Sequence, residues 1–168
     1  MKIFYHFIMD PRRGGPHQFV KNFINVSNKK IKNHLVINGK NDKKINLYFF
    51  RNFGRYLYFF EIIINFFKIY YYFKINRQNK KPVINIHGFY NVAPLLFSIF
   101  FNGNVNWFIH EEISKGKQFF LKLIPKKINL FFLYHYSSIG IKKRKNYFII
   151  KPCTSGVGFL CLLKFRLD

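Results

Sequence analysis

The sequence predicts an α/β domain in three layers, with a mainly parallel sheet between two layers of helices. Three observations lead there. Short apolar runs alternate with segments of helical period from one end of the chain to the other. The first run, residues 3–9, stops at Asp10-Pro11 and passes through Gly14-Gly15 into a helix, the strand–turn–helix unit with which such a sheet opens. A chain of 168 residues, 49% of them hydrophobic, is long enough for one sizeable core.

Taken in order, residues 3–9 are apolar or aromatic at nearly every position, as in a strand covered on both faces. Gly14-Gly15 turns tightly, and Pro16 suits the first position of a helix, where its missing N–H costs nothing. Phe19, Val20, Phe23 and Val26 continue at helical spacing, with Lys21, Asn22, Asn25 and Ser27 on the other side. Residues 34–38 predict a second strand, 39–44 a polar turn and 45–50 a third strand. A long helix is expected over 54–75, its broad apolar face carrying Leu57, Phe60, Ile64, Phe67 and Tyr71. Residues 82–87 form the fourth strand, ended by Gly88; 91–101 form an apolar helix with Pro94 in its first turn, closed by Asn102-Gly103. The fifth strand, 105–109, leads straight into His110-Glu111-Glu112. A basic helix at 115–124, a sixth strand at 128–133 and a seventh at 146–151 complete the alternation. Such a Rossmann-like, doubly wound arrangement binds ligands beyond the carboxyl ends of its strands.

The charge balance, 29 Lys and Arg against 6 Asp and Glu, gives a net +23 and would attract nucleic acid, anionic headgroups or a polyanionic substrate. Composition weakens that inference. The chain holds 24 Phe and 11 Tyr, while Ala93 and Thr154 are its only Ala and Thr, the pattern of an AT-rich coding sequence that fills tolerant positions with Lys, Asn, Ile and Phe. The basic residues are scattered, as in Lys29-Lys30, Lys43-Lys44 and Lys142-Lys143-Arg144-Lys145, and no recognition-helix or RNA-binding signature accompanies them, so nucleic acid is not the expected partner. The apolar content excludes a disordered tail. Cys153 and Cys161 have no nearby Cys or His pair, which argues against a zinc site or a disulfide framework and for a reducing cytoplasm. The first apolar run is too short for a signal peptide. Residues 56–73 contain Glu61, Asn65 and Lys68, and residues 83–109 are broken by Gly88, Pro94 and Gly103, so neither is a clean membrane span of ~20 apolar residues. A basic, aromatic-rich helix does suit peripheral contact at the inner face of a membrane.

Three strand ends stand out as candidate sites. Gly14-Gly15 offers free N–H groups and a helix dipole, with Arg12-Arg13 beside it, a setting that favours a negative group, above all a phosphate. Its spacing is neither the Walker loop nor the dinucleotide fingerprint. His87-Gly88 ends the fourth strand and His110-Glu111 follows the fifth, so all three should line one edge of the sheet.

In their order and spacing these motifs resemble the amino-terminal domain of the family 4 glycosyltransferases of the GT-B fold. Asp10-Pro-Arg-Arg-Gly-Gly-Pro-His-Gln-Phe-Val20 is similar to that family's glycine loop. Asn85-Ile-His-Gly-Phe89 with Ala93-Pro-Leu-Leu96, and Trp107-Phe-Ile-His-Glu111, resemble the stretches around its next two strand ends. Tyr147-Phe-Ile-Ile-Lys-Pro152 and Ser155-Gly-Val157 look like a degraded form of the segment that ends its first domain.

The resemblance covers residues 1–157. It implies the acceptor-side domain of a retaining, nucleotide-sugar-dependent enzyme of surface polysaccharide or glycolipid synthesis, working on a sugar or lipid-linked acceptor without metal or cofactor. Gly14, Gly15, Arg12 and Arg13 would meet the donor diphosphate, His87 and Gly88 would lie on the acceptor side, and His110 would sit near the acceptor hydroxyl or the transferred sugar. An imidazole near its ordinary pKa can accept or orient a hydroxyl proton, while Glu111 either orients His110 or caps the next helix. Gly158 stands where the family has Asp, and residues 158–168 diverge. The expectation is therefore a chain truncated before the donor domain, inactive alone or completed by a separate donor-domain chain. The competing readings are a non-enzymatic basic module on nucleic acid or anionic membrane, and another doubly wound enzyme such as a nucleotide-sugar epimerase, against which the missing dinucleotide fingerprint argues.

Overall fold

The first strand, β1 (Lys2–Ile8), is exposed at Lys2 and buried from Phe4 onward, as its unbroken apolar run dictates. In the computed structural model, which describes residues 2–8, 15–27, 31–37, 41–42, 47–48, 57–76, 82–132 and 147–149, this strand lies inside a six-stranded sheet. The elements that follow are α1 (Gly15–Val26), β2 (Ile31–Ile37), β3 (Asn41–Asp42), β4 (Leu47–Tyr48), α2 (Tyr58–Ile75), β5 (Val83–His87), α3 (Val92–Phe100), β6 (Val105–Ile109), α4 (Lys115–Leu123), β7 (Ile128–Phe132) and β8 (Tyr147–Ile149). The sheet order is β2-β1-β5-β6-β7-β8 and every neighbouring pair is parallel. The fold is α/β, three-layered and Rossmann-like, as the alternation of elements predicts.

The order reverses between β1 and β5. The chain leaves β1 for β2 on one side, then returns past β1 to β5 and continues outward, which under right-handed crossovers puts α1 on one face and the later helices on the other. Ring contacts bear this out. On α1, Phe23 meets Phe4 and His6, and Phe19 meets His87 and Phe108. On α2, Tyr72 and Phe73 meet Tyr5, whose side chain alternation sends to the opposite face. The main hydrophobic core lies on this second face, where Tyr5, Phe7, Ile84, Ile86, Trp107 and Ile109 of the sheet close against residues of α2, α3 and α4.

Two expectations are corrected. The third strand predicted over 45–50 does not join the main sheet. Leu47–Tyr48 instead pairs antiparallel with Asn41–Asp42, inside the segment expected to be a polar turn. Four intervening residues suffice for a hairpin but not for the crossover that a parallel neighbour requires. The second correction concerns α2. Leu57, Phe60, Phe67 and Tyr71, predicted to face the core, are exposed, whereas Glu61, Asn65 and Ile69 are buried. Glu61, Asn65 and Lys68 follow helical spacing and mark a polar face, yet Glu61 and Asn65 of that face turn inward, so the period does not decide which side is buried. Packing of Phe73 on Phe97 and of Phe66 on Phe100 of α3 chooses it instead. Among the described residues, no helix is long and apolar enough to cross a membrane. The segment 158–168, with the divergence proposed for it, lies outside the described residues.

Candidate functional site

The carboxyl ends of β1, β5 and β6 are neighbours, because β5 lies between the other two. This edge includes the point where the strand order reverses, the crevice in which doubly wound sheets bind ligands. His87-Gly88 and His110-Glu111 therefore come together as predicted. Helix α1 starts at Gly15, and Phe19, in its second turn, lies edge-on to the His110 ring at 5.0 Å. Gly14, Arg12 and Arg13 lie outside the described residues, and so does the geometry of the phosphate cradle expected there.

The loop after β5 is tied down by the end of β6. Gly88 adopts φ 85°, a left-handed conformation open to glycine at little cost. Its N–H donates to the Phe108 carbonyl at 2.9 Å, and its own carbonyl accepts from the Trp107 indole N–H at 2.9 Å. The Phe89 N–H is shared between the two oxygens of Glu111, at 3.1 and 3.2 Å. Glu111 thus clamps the neighbouring loop, a contact that neither alternative drawn from sequence includes. A Cβ on Gly88 would stand 3.4 Å from Glu111 Oε1, which keeps the clamp close. Next in the chain, Asn91 donates its amide N–H to the Phe7 carbonyl at 2.8 Å across the reversal point. Its buried Oδ1 has no hydrogen-bond partner among the described residues.

The histidines are joined to a third. His110 Nε2 lies 3.2 Å from His87 Nδ1, and His87 Nε2 lies 3.3 Å from Nδ1 of His6, in the middle of β1. His6 Nε2 in turn reaches Asn33 Oδ1 of β2 at 3.2 Å. Burial opposes charging any of the three rings. It lowers His6 to about 4 despite the opposing effect of the Asn33 hydrogen bond, and lowers His110 to about 4. His87, wholly enclosed, falls well below the ordinary value through burial and then through the neighbouring charges of His6 and His110. All three are neutral at pH 7. The expectation of a His110 near its ordinary pKa is corrected accordingly: burial makes its imidazole a weaker base, neutral at pH 7. Among the described residues, no group of three or more His, Cys, Asp or Glu side chains is arranged to hold a metal ion.

Sequence reasoning missed His6 and the asparagines around it. Asn106 donates to Asn85 at 2.9 Å, and Asn129 donates to Asn106 at 3.0 Å. These residues and His6 stand in one register row, His6–Asn85–Asn106–Asn129. The available signal was a polar residue interrupting each of four apolar strands. Set beside known proteins, the chain matches no family model, no curated protein and no solved structure.

Proposed function

We propose that this chain supplies the acceptor-side domain of a glycosyltransferase, binding an acceptor hydroxyl beside His110 while a nucleotide-sugar diphosphate approaches the start of α1. The observation that carries the reading is His110 itself: a neutral imidazole at the carboxyl edge of the sheet, backed by buried His87 and flanked by the Gly88 loop. Glycosyl transfer requires a hydroxyl to be aligned without an anion competing for the same group, and a neutral imidazole does this at pH 7. The developing charge on the leaving phosphate is met by the free N–H groups at the start of α1. The motif resemblance supports the same assignment, with the donor held by a second domain.

The test is titration of the full chain with a nucleoside diphosphate sugar, followed by backbone amide shifts. Shifts gathered at Gly15, Phe19, Gly88 and His110, and lost in Gly15→Asp, are expected. Equal binding by Gly15→Asp, or shifts scattered over the lysine-rich loops, contradicts the reading.

A second reading, a basic module seated on an anionic membrane, is favoured by one observation. Helix α2 exposes Phe59, Phe60, Phe67, Tyr71 and Ile75, and Lys74 lies over the Tyr70 ring on the same helix. This reading predicts sedimentation with phosphatidylserine vesicles that is lost at high salt and in Phe60→Ser/Phe67→Ser, yet indifferent to Gly15→Asp.

A further inference from the structure

The histidine row is one segment of a longer chain of hydrogen bonds whose direction can be followed atom by atom. Ser27 donates its hydroxyl proton to the Ile24 carbonyl at 2.8 Å, one turn back at the end of α1. Its Oγ is then the acceptor for Asn33 Nδ2 at 2.7 Å. That bond turns Asn33 Oδ1 toward His6, and an amide oxygen has no proton to give, so His6 donates from Nε2. A neutral imidazole carries one proton, which leaves His6 Nδ1 as a lone pair facing His87 Nε2.

The asparagine row is oriented in agreement with this from the other side. Asn129 donates to Asn106, and Asn106 donates to Asn85 Oδ1. Asn85 is thereby oriented with Nδ2 toward His6 Nδ1, at 3.4 Å. The route from β2, anchored on the Ile24 carbonyl, makes His6 Nδ1 an acceptor, and the asparagine row is oriented in agreement with it. His87 must then carry its proton on Nε2, its Nδ1 accepts from His110 Nε2–H, and by the same count Nδ1 of His110 is unprotonated.

We infer that His6 and His87 are positioning residues that hold His110 in the Nε2–H tautomer, with Nδ1 as a lone-pair acceptor at the strand-end site. The direction of this relay is set by Ser27 and Asn33 at its far end. The tautomer also decides the chemical class of ligand. An unprotonated ring nitrogen accepts from O–H or N–H and repels an anionic oxygen, so His110 meets a neutral sugar hydroxyl and the phosphate of a donor belongs elsewhere on the edge. This functional meaning rests on the acceptor-side reading above; the tautomer itself does not. The burial that keeps all three rings neutral is what allows a single proton per ring and hence a definite direction.

The test uses the full chain labelled with ¹⁵N, without ligand, in two-bond ¹H–¹⁵N correlation spectra at neutral pH. For His6, His87 and His110 the expected result is a pyridine-type Nδ1 and a pyrrole-type Nε2, with a scalar coupling across the bond from His110 Nε2 to His87 Nδ1. In Asn33→Leu, which removes the anchoring acceptor, the two His110 nitrogens should move toward a common averaged position, while Asn33→Asp, which keeps an acceptor there, should leave them in place. Ser27→Ala, which removes a single hydroxyl, should shift them in the same direction as Asn33→Leu by a smaller amount. A pyridine-type Nε2 on His110, averaged nitrogens in the unaltered chain, or a His110 indifferent to both Asn33→Leu and Ser27→Ala overturns the relay. Addition of a neutral monosaccharide then reads the other claim separately: a selective shift of His110 Nδ1 supports the acceptor role, and no shift sinks that role while leaving the tautomer result standing.

Discussion

The two faces of the sheet are built from the same strands and solve burial in opposite ways. On the face toward α2, α3 and α4, alternation places Tyr5, Phe7, Ile84, Ile86, Trp107 and Leu130, a nearly unbroken apolar layer whose stability comes from area removed from water. On the face toward α1, the same strands present one row of His6, Asn85, Asn106 and Asn129 and a second of His87, Phe108, Phe131 and Phe148. In the second row, rings stack along the register at 4.8, 4.8 and 4.9 Å. In the first, polar groups that would each be costly alone satisfy one another across strands. A parallel strand covered on both faces need not be apolar on both. Register lets one face hold a connected polar line that leads from the buried middle of the sheet to the carboxyl ends of its strands.

That contrast can be broken from either side. The largest effect is expected on the apolar face. Trp107→Ala removes a fully buried ring and its hydrogen bond to the Gly88 carbonyl, and should cost about 3–5 kcal/mol in denaturant unfolding. On the polar face the corresponding perturbation is acid. The folded pKa of His6 lies below its unfolded value, so the unfolded chain binds more protons between about pH 6.5 and about 4, and stability is lost as pH falls through that window. His6 alone accounts for on the order of 3 kcal/mol once the pH reaches its folded value, and His110 and His87 act in the same direction. Unfolding free energies measured from pH 7 to pH 4 that stay level would remove the neutral row. Gly88→Ala, which forces a side chain into the left-handed region at the edge where the faces meet, should cost about 1 kcal/mol and weaken the sugar binding proposed at His110. The smallest effect is expected outside both faces: Phe67→Ser on the exposed side of α2 should change stability by no more than about 0.5 kcal/mol, where a core position would lose several times that.

The fold was legible because each βα unit is marked locally. Residues 3–9, 82–87, 105–109 and 128–133 are short apolar runs ended by Pro, Gly or polar residues, and all four are strands of the main sheet. The site was legible in part for the same reason, since His87 and His110 fall at strand ends where the doubly wound rule looks for ligands. What escaped was information that only neighbours carry. The spacing of Glu61, Asn65 and Lys68 points that side of α2 toward solvent, and packing against α3 overrides it by turning Glu61 and Asn65 inward. Nothing in the first strand says that His6 lies beside Asn85, because their pairing depends on sheet order and register between residues 79 apart. Glu111 invited a guess about His110, its neighbour in sequence, whereas its carboxylate is held by a backbone N–H on another strand's loop.

The most direct measurement is a titration of the histidine ring signals of the full chain by NMR from about pH 8 to about pH 5, a window bracketing the ordinary histidine value. Signals of His6, His87 and His110 that stay at their neutral positions throughout are the predicted result, since burial holds two of them at about 4 and the third well below its ordinary value. A His110 signal that titrates near the ordinary value would place that ring in open water, disconnect it from His87 and contradict a buried polar row ending at the carboxyl edge of the sheet.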